Sequence, residues 1–194
     1  MTVGNNLEIF CGKAVDDYDP AKGIANPENR AYRVRISYDE YDKKTTIEQK
    51  IEQFVNDPKA AQVNDLIIGA FDFESSASTD GIVEALVAAK DKLPNLRNLF
   101  IGDITYEENE ISWIEQSDVS PVLEAYPELL HFQVRGGNSL SLGTLTHANL
   151  EALIVETGGM SASVVREVCH ASLPNLRYLE LWLGTDDYGF ESTA

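Results

Sequence analysis

Histidine and cysteine are the side chains best suited to chemistry near neutral pH, and this chain of 194 residues has few of them. They are His131, His147, His170, Cys11 and Cys169. A nucleophilic site would place a base beside a serine or cysteine, and the sequence has neither a G-x-S-x-G elbow nor an H-E-x-x-H helix. The repeat described below puts His131 on a sheet face with Asp65 two strands away, too far for a direct pair. The sequence therefore predicts a protein that is not an enzyme.

Metal ligands are equally sparse. The two cysteines are far apart in sequence and show no C-x-x-C spacing. Asp16, Asp17 and Asp19 form an acidic cluster, but they lack the central glycine and terminal glutamate of an EF-hand loop. We therefore predict no metal and no cofactor, a solvated loop at the Asp cluster, and reduced cysteines packed as small apolar groups.

Charge is the strongest compositional feature. The chain has 32 acidic and 15 basic residues, a net charge of −17. Such a chain repels phosphate backbones and anionic lipid surfaces, which predicts no nucleic-acid partner and no membrane partner. The charge serves either solubility or attraction of a basic protein partner. The sequence shows no signal peptide and no apolar run that could span a bilayer, so we expect a cytoplasmic protein.

The elements that would position any site come from a repeat. Residues 93–102 read LPNLRNLFIG and return as LPNLRYLELWLG at 173–184. Three looser copies end at Gly69, Gly137 and Gly159. All five fit an apolar template in which positions one, four and six are buried anchors. The anchors are Val63/Leu66/Ile68, Leu96/Leu99/Ile101, Leu129/Phe132/Val134, Leu150/Leu153/Val155 and Leu176/Leu179/Leu181.

Helix signals alternate with these strands. Thr45 and Glu48 have the spacing of a capping box before a helix whose apolar face is Ile47, Ile51, Phe54 and Val55. Further helices are predicted over 81–90, from the Ser120-Pro121 start through 125, and over 164–171 with a serine cap. Earlier in the chain, 7–15 and 31–38 read as strands. Residues 139–145 leave no room for a helix.

A strand-and-return unit at intervals of 33, 33, 21 and 26 residues cannot bury its own apolar face and must stack on its neighbours. We predict an α/β fold, a right-handed β/α solenoid with a curved parallel sheet of about six strands and helices on the convex side. Its parts are an N-terminal capping segment with the first strand (1–44), the array (45–184) and a tail (185–194), in one domain. The alternative is a doubly wound sheet, although no glycine-rich phosphate loop is present.

The L-x-x-L-x-L segments resemble those of leucine-rich-repeat proteins, and the long intervals with helical returns resemble the ribonuclease-inhibitor type. The asparagine that usually ends the motif is absent, and Gly137, Gly158 and Gly184 take its place in three copies. The combination ISWIEQSDVSP, VRGG, VETGG and LWLGTDDYG resembles an uncharacterised family of cytoplasmic bacterial leucine-rich-repeat proteins. Its members are longer, so the resemblance implies a shortened or truncated member. It also implies protein binding.

Side chains between the anchors face the concave side of the sheet, because strand side chains alternate. Neighbouring strands there would allow an ion pair between Arg135 and Glu156, and another between Arg33 or Arg35 and Asp65. Apolar residues among them are either a binding surface or are covered by long neighbours or by a terminal segment. The predicted partner-binding residues are Ile67, Asn98, Phe100, His131, Gln133, Arg135, Ile154, Glu156, Tyr178, Glu180 and Trp182.

Three functions stay open from the sequence. The leading one is a non-enzymatic protein-binding module that uses the concave face, with an unidentified protein partner. The second is a structural or accessory subunit that forms homo-oligomers or pairs with a partner through its last strand. The third is an unrecognised enzyme.

Overall fold

The computed structural model describes residues 3–75 and 77–190. In this part of the chain, eight strands form one curled sheet, like half of a barrel, in which the strands lie side by side in chain order. The first two strands are antiparallel, and every later pair is parallel. The strands are β1 (Ile9–Phe10), β2 (Lys13–Asp17), β3 (Arg30–Val34), β4 (Asp65–Gly69), β5 (Asn98–Asp103), β6 (His131–Arg135), β7 (Ala152–Glu156) and β8 (Tyr178–Trp182).

Helices return the chain between most of the parallel strands. They are α1 (Tyr38–Asp42), α2 (Ile47–Val55), α3 (Asp80–Ala88), α4 (Ser120–Ala125) and α5 (Ala162–Cys169), with 3-10 turns at Ala60–Gln62 and Asp186–Tyr188. As predicted, the short return between β6 and β7 contains no helix. An α/β fold with a curved, mostly parallel sheet is therefore observed. None of the helices in the described ranges is long and apolar enough to cross a membrane.

The anchors of the repeat lie in register across the sheet. Leu66, Leu99, Phe132, Leu153 and Leu179 follow one another on neighbouring strands. The first four are fully buried in the main core, together with the apolar faces of α2 and α3. The predicted anchors are thus confirmed as buried in four of the five copies, and so is the predicted face of α2; in the last copy Leu179 is exposed.

The predicted start of α2 and the predicted end of the strand before it are both wrong. The capping box is formed by Thr46 and Gln49, one residue later than predicted. Thr45 cannot form the predicted box with Glu48, because its N–H already donates to the Glu40 carbonyl of α1. Helix α1 itself was not predicted, and it begins at a capping box of Ser37 and Glu40, where the sequence favoured a strand through 38.

The N-terminal region also differs from its prediction. Residues 7–15 were expected to be one strand, but they contribute to two, β1 and β2, joined by a tight turn. Cys11 and Gly12 have φ of 46° and 80°, which is the left-handed backbone that such hairpin turns require. β2 then pairs in parallel with β3, so the sheet has two more strands than expected. Of the predicted tail, the last four residues lie outside the described ranges.

Candidate functional site

The concave face of the sheet carries the side chains that alternate with the buried anchors. From β4 to β8 the side chains between the anchors lie opposite one another in three rows, as strand alternation predicts. The exception is a bulge at the end of β4, which pairs Gly69 with Asp103 where alternation predicts Gly102. At β3 the register differs by two residues, because Arg33 lies opposite Ile67 and not beside Asp65. The rows are Asp65–Asn98–His131–Ala152–Tyr178, then Ile67–Phe100–Gln133–Ile154–Glu180, then Arg135–Glu156–Trp182.

An N-terminal arm, residues 3–17, covers the first half of this face. Phe10 on β1 packs against Phe100 and meets the His131 ring edge-on, with ring centroids 6.3 and 5.2 Å away. Phe10, Ile67 and Phe100 form a second small core with Ala31. The exposed apolar surface expected at Ile67 and Phe100 is therefore wrong, and coverage by a terminal segment, the alternative, is what occurs.

Buried charge holds the arm in place. The Asp103 carboxylate is fully buried and accepts the Leu7 N–H at 3.2 and 3.3 Å. It also pairs with Arg33 at 2.8 Å and lies 3.6 Å from Arg135. Arg33 in turn donates to the Leu7 carbonyl and pairs with Asp17. A carboxylate at the end of β5 thus joins the arm to β3 and β6.

The predicted ion pair between Arg135 and Glu156 is confirmed. The Arg135 guanidinium also lies over the Phe100 ring, 5.1 Å from its centroid. Glu156 accepts from the Gln133 amide at 2.7 Å, and Gln133 contacts the His131 ring. Arg135, Glu156 and Gln133 are all buried, and so is Phe100. This part of the face is therefore a satisfied internal network.

The other predicted ion pair is wrong. Asp65 pairs with Lys13 of the arm at 2.6 Å and accepts from Asn98, because the register shift removes Arg33 from its side. Arg35 pairs instead with Glu108.

The histidines have structural contacts. Burial lowers the pKa of His131, although its contact with Gln133 and the Asp65 charge oppose that shift. His147 is buried, with Nδ1 accepting the Leu150 N–H and Nε2 donating to the Tyr126 carbonyl. His170 contacts the Arg166 carbonyl at the end of α5, as predicted for a helix terminus. Residues 3–75 and 77–190 contain no cluster of three or more His, Cys, Asp or Glu side chains that could hold a metal.

Both cysteines are free but exposed, so their predicted packing as small buried groups is wrong. Trp113 and Ile114 lie just before the Ser120 helix start, a position that predicts convex-side core for both. Ile114 is fully buried, whereas Trp113 is exposed, because the segment between β5 and α4 turns its indole outward.

The far end of the sheet is open. Tyr178 is 51% exposed and Leu179 is 46% exposed, while Leu181 and Trp182 are half-buried. On the concave side, Glu180 accepts hydrogen bonds from the Tyr178 hydroxyl and from Trp182 Nε1. These two bonds lower the pKa of Glu180, and the bond to Glu180 raises the pKa of Tyr178. Glu180 is therefore a fixed, ionised acceptor at the open edge.

The predicted partner-binding residues thus fall into two groups. Five are buried beneath or beside the arm: Ile67, Phe100, Gln133, Arg135 and Glu156. Of the others, Tyr178 is exposed, and Asn98, His131, Ile154, Glu180 and Trp182 are partly buried. The second group contains the whole concave side of β8.

Comparison with known proteins gives one informative match. No protein-family model and no curated protein matches the chain. The chain is similar to a structural-genomics protein from Bacteroides fragilis, solved by crystallography, with 38% sequence identity and a TM-score of 0.76. The match covers 82% of this chain and 44% of the Bacteroides protein, so it spans less than half of that protein's length.

Proposed function

We propose that the protein is a non-enzymatic protein-binding module of leucine-rich-repeat-like architecture, and that it binds another protein chain at its open β8 end. Five L-x-x-L-x-L segments on consecutive parallel strands support the ribonuclease-inhibitor-like β/α solenoid. The binding surface is Tyr178, Glu180 and Trp182 together with the core-side leucines of the same strand.

The observation that carries this proposal is the exposure of a core anchor. Leu179 occupies the same register position as Leu99 and Leu153, which are fully buried, yet almost half of it is open to solvent. Leu183 is also exposed, and Leu176 and Leu181 are only half-buried. Contiguous apolar surface of this kind marks an interaction site.

The backbone of β8 offers the matching polar contacts. Tyr178 N–H donates to Glu151 on the β7 side. Backbone groups alternate in a parallel ladder, so the N–H and carbonyl of Leu179 and Leu181 point to the open side. A partner strand could pair there and place its own leucines over Leu179 and Leu181.

Charge favours a basic partner over a second copy. The chain has a net charge of −17, and Glu180 presents an ionised carboxylate at the rim. Within the sheet, Glu156 is matched by Arg135 on the adjacent strand. The partner strand would carry lysine or arginine opposite Glu180 in the same way. Self-association through β8 is the second candidate, since it would use the same open leucines.

The probe is a synthetic peptide with the sequence of residues 93–103, together with a version carrying Phe100→Lys, the position that aligns with Glu180. Titrated into ¹⁵N-labelled protein, the peptide should shift and protect the amides of Leu179 and Leu181, and the lysine version should bind more tightly. Leu179→Pro should abolish binding, because it removes an outward N–H and leaves the β7 ladder intact.

Leu130→Lys is the matched control for Leu179→Lys, because Leu130 is also an exposed leucine but precedes β6, two strands away from β8. Only the β8 variant should lose binding. Sedimentation equilibrium over a wide concentration range tests the second candidate. Shifts that fall outside β8, or equal loss in both lysine variants, would rule out this surface.

A further inference from the structure

A second surface lies at the carboxyl ends of the strands, away from β8. It is a cleft of ≈ 500 Å³, here called the aromatic groove. Its lining includes three exposed aromatic side chains, Tyr38 (55% exposed), Tyr106 (47%) and Trp113 (54%). Large aromatic residues gathered at one exposed site are typical of binding surfaces.

Two of the three rings, Tyr38 and Tyr106, are held in place before any ligand arrives. Tyr38 stacks on Phe73 with ring centroids 4.0 Å apart, and its hydroxyl donates to the Glu107 carbonyl at 3.0 Å. The Tyr106 hydroxyl donates to the Glu107 carboxylate. A ring that is already fixed loses little conformational freedom on binding.

The groove is acidic throughout. Glu74, Glu107 and Glu110 line it and are exposed, and no lysine or arginine lines it in the described part of the chain. Glu108 also lines it, but Arg35 already neutralises that carboxylate at 2.8 Å. Neither Glu74 nor Glu110 has an ion pair within residues 3–75 and 77–190. Their charge is therefore available to a ligand.

We propose that the aromatic groove binds a basic peptide segment of a protein partner, with a lysine or arginine side chain seated among Tyr38, Tyr106 and Trp113. A cation over an aromatic face is attracted by the ring quadrupole, and the surrounding carboxylates supply the countercharge. An anionic or nucleic-acid ligand would meet only repulsion there.

The length of the surface fits an extended peptide better than a single small cation. A neighbouring cleft of ≈ 330 Å³ shares Tyr106 and Glu110 with the aromatic groove and continues to Tyr188. Tyr188 is exposed as well. An extended chain advances about 3.3 Å per residue, so several residues could lie along the two clefts.

Tetra-arginine and tetra-lysine peptides, with tetra-glutamate as the opposite charge, serve as probes. Trp182→Phe leaves Trp113 as the single indole, so binding can be followed by its fluorescence. We expect both basic peptides to bind and tetra-glutamate not to bind. Trp113→Ala should weaken binding about fivefold to tenfold, which calorimetry can measure.

Glu110→Gln and Glu128→Gln remove the same charge from two exposed positions, one in the groove and one outside it. If the groove binds the peptide, only Glu110→Gln should weaken binding strongly at about 0.15 M salt. Equal loss in both would show attraction to the overall charge, and unchanged binding in Trp113→Ala would overturn the proposal. Thermal melting should show that Trp113→Ala and Glu110→Gln stay folded. Leu179→Lys at the β8 end should leave peptide binding unchanged, which separates this site from the proposed function.

Discussion

Residues 93–102 and 173–184 are two copies of nearly the same segment, yet they have opposite surroundings. In the first copy, Leu93, Leu96 and Leu99 are all buried. In the second, Leu173 and Leu176 are half-buried and Leu179 is exposed. Within residues 3–75 and 77–190, the first copy has strands on both sides, and the second pairs with one strand, β7. The core of each repeat is therefore completed by the repeat that follows it, and the motif alone does not bury its leucines.

The concave positions of the two copies differ in the same direction. Phe100 is sealed beneath Phe10 and Arg135, whereas Glu180 lies at the rim between Tyr178 and Trp182. On the concave face, the N-terminal arm reaches β6, where Phe10 meets the His131 ring. One half of the concave face is thus interior, and the other half is surface.

The two concave positions, Phe100 and Glu180, give the largest expected difference in the free energy of unfolding. Phe100→Ala should lower the free energy of unfolding by about 3–5 kcal/mol, because it leaves a cavity under the arm. Glu180→Ala should change it by less than about 0.5 kcal/mol, because that side chain is at the rim. Urea denaturation of both variants measures the difference. Equal effects would mean that the arm does not seal Phe100 in solution.

The equivalent anchors Leu99 and Leu179 give the next largest expected difference in the free energy of unfolding. Leu99→Ala should cost about 2–5 kcal/mol, since Leu99 is fully buried. Leu179→Ala should cost less than about 1 kcal/mol, since the leucine buries only part of its surface. The two substitutions are chemically identical and sit at the same repeat position, so each is the control for the other. A large loss in Leu179→Ala would show that the β8 end is already covered in solution.

A smaller effect concerns pH beneath the arm. Burial lowers the pKa of His131 in the folded protein, so the unfolded chain binds a proton more readily. The stabilisation that neutral His131 contributes is full above the unfolded value of about 6.5 and is lost as pH falls through the lower folded value. The free energy of unfolding should therefore fall as the pH is lowered below about 6.5. His131→Gln should reduce that fall, whereas His170→Gln, at an exposed position, should leave it as in the parent chain.

The smallest contrast involves the two thiols and changes reactivity without changing stability. The Cys11 side chain reaches solvent, but the protein atoms around its sulfur and the Asp65 carboxylate, opposed by Lys13, raise its pKa to about 12. Cys169 is exposed near the open end. At pH about 8, iodoacetamide should modify Cys169 well before Cys11, because the thiolate is the reactive form. Peptide mapping by mass spectrometry at several times measures both rates, and faster labelling of Cys11 would contradict the expectation.

Much of the sheet was predictable because the repeat fixes which residues are anchors. The rows from β4 to β8, the buried face of α2 and the Arg135–Glu156 pair all follow from strand alternation and helix periodicity. The arm was not predictable in this way, because residues 3–17 lie outside the repeat and their contacts are distant in sequence. The prediction that Phe100 belongs to an exposed binding surface was wrong for that reason. The aromatic groove had a visible signal in YEENEISW, but the partner rings Tyr38 and Phe73 come from other returns.

The bond between the Leu7 N–H and Asp103 also bears on the order in which the chain folds. The two residues are 96 positions apart, whereas successive strands elsewhere pair with their immediate neighbours along the chain. Residues of the arm are synthesised before β5, so Leu7 must wait for Asp103 before it can make this bond. Closing so long a loop slows folding, and the docking of the arm is expected to be a late, separate step in refolding. Until that step, Ile67 and Phe100 stay uncovered, so the nascent chain displays an apolar surface that the finished protein hides.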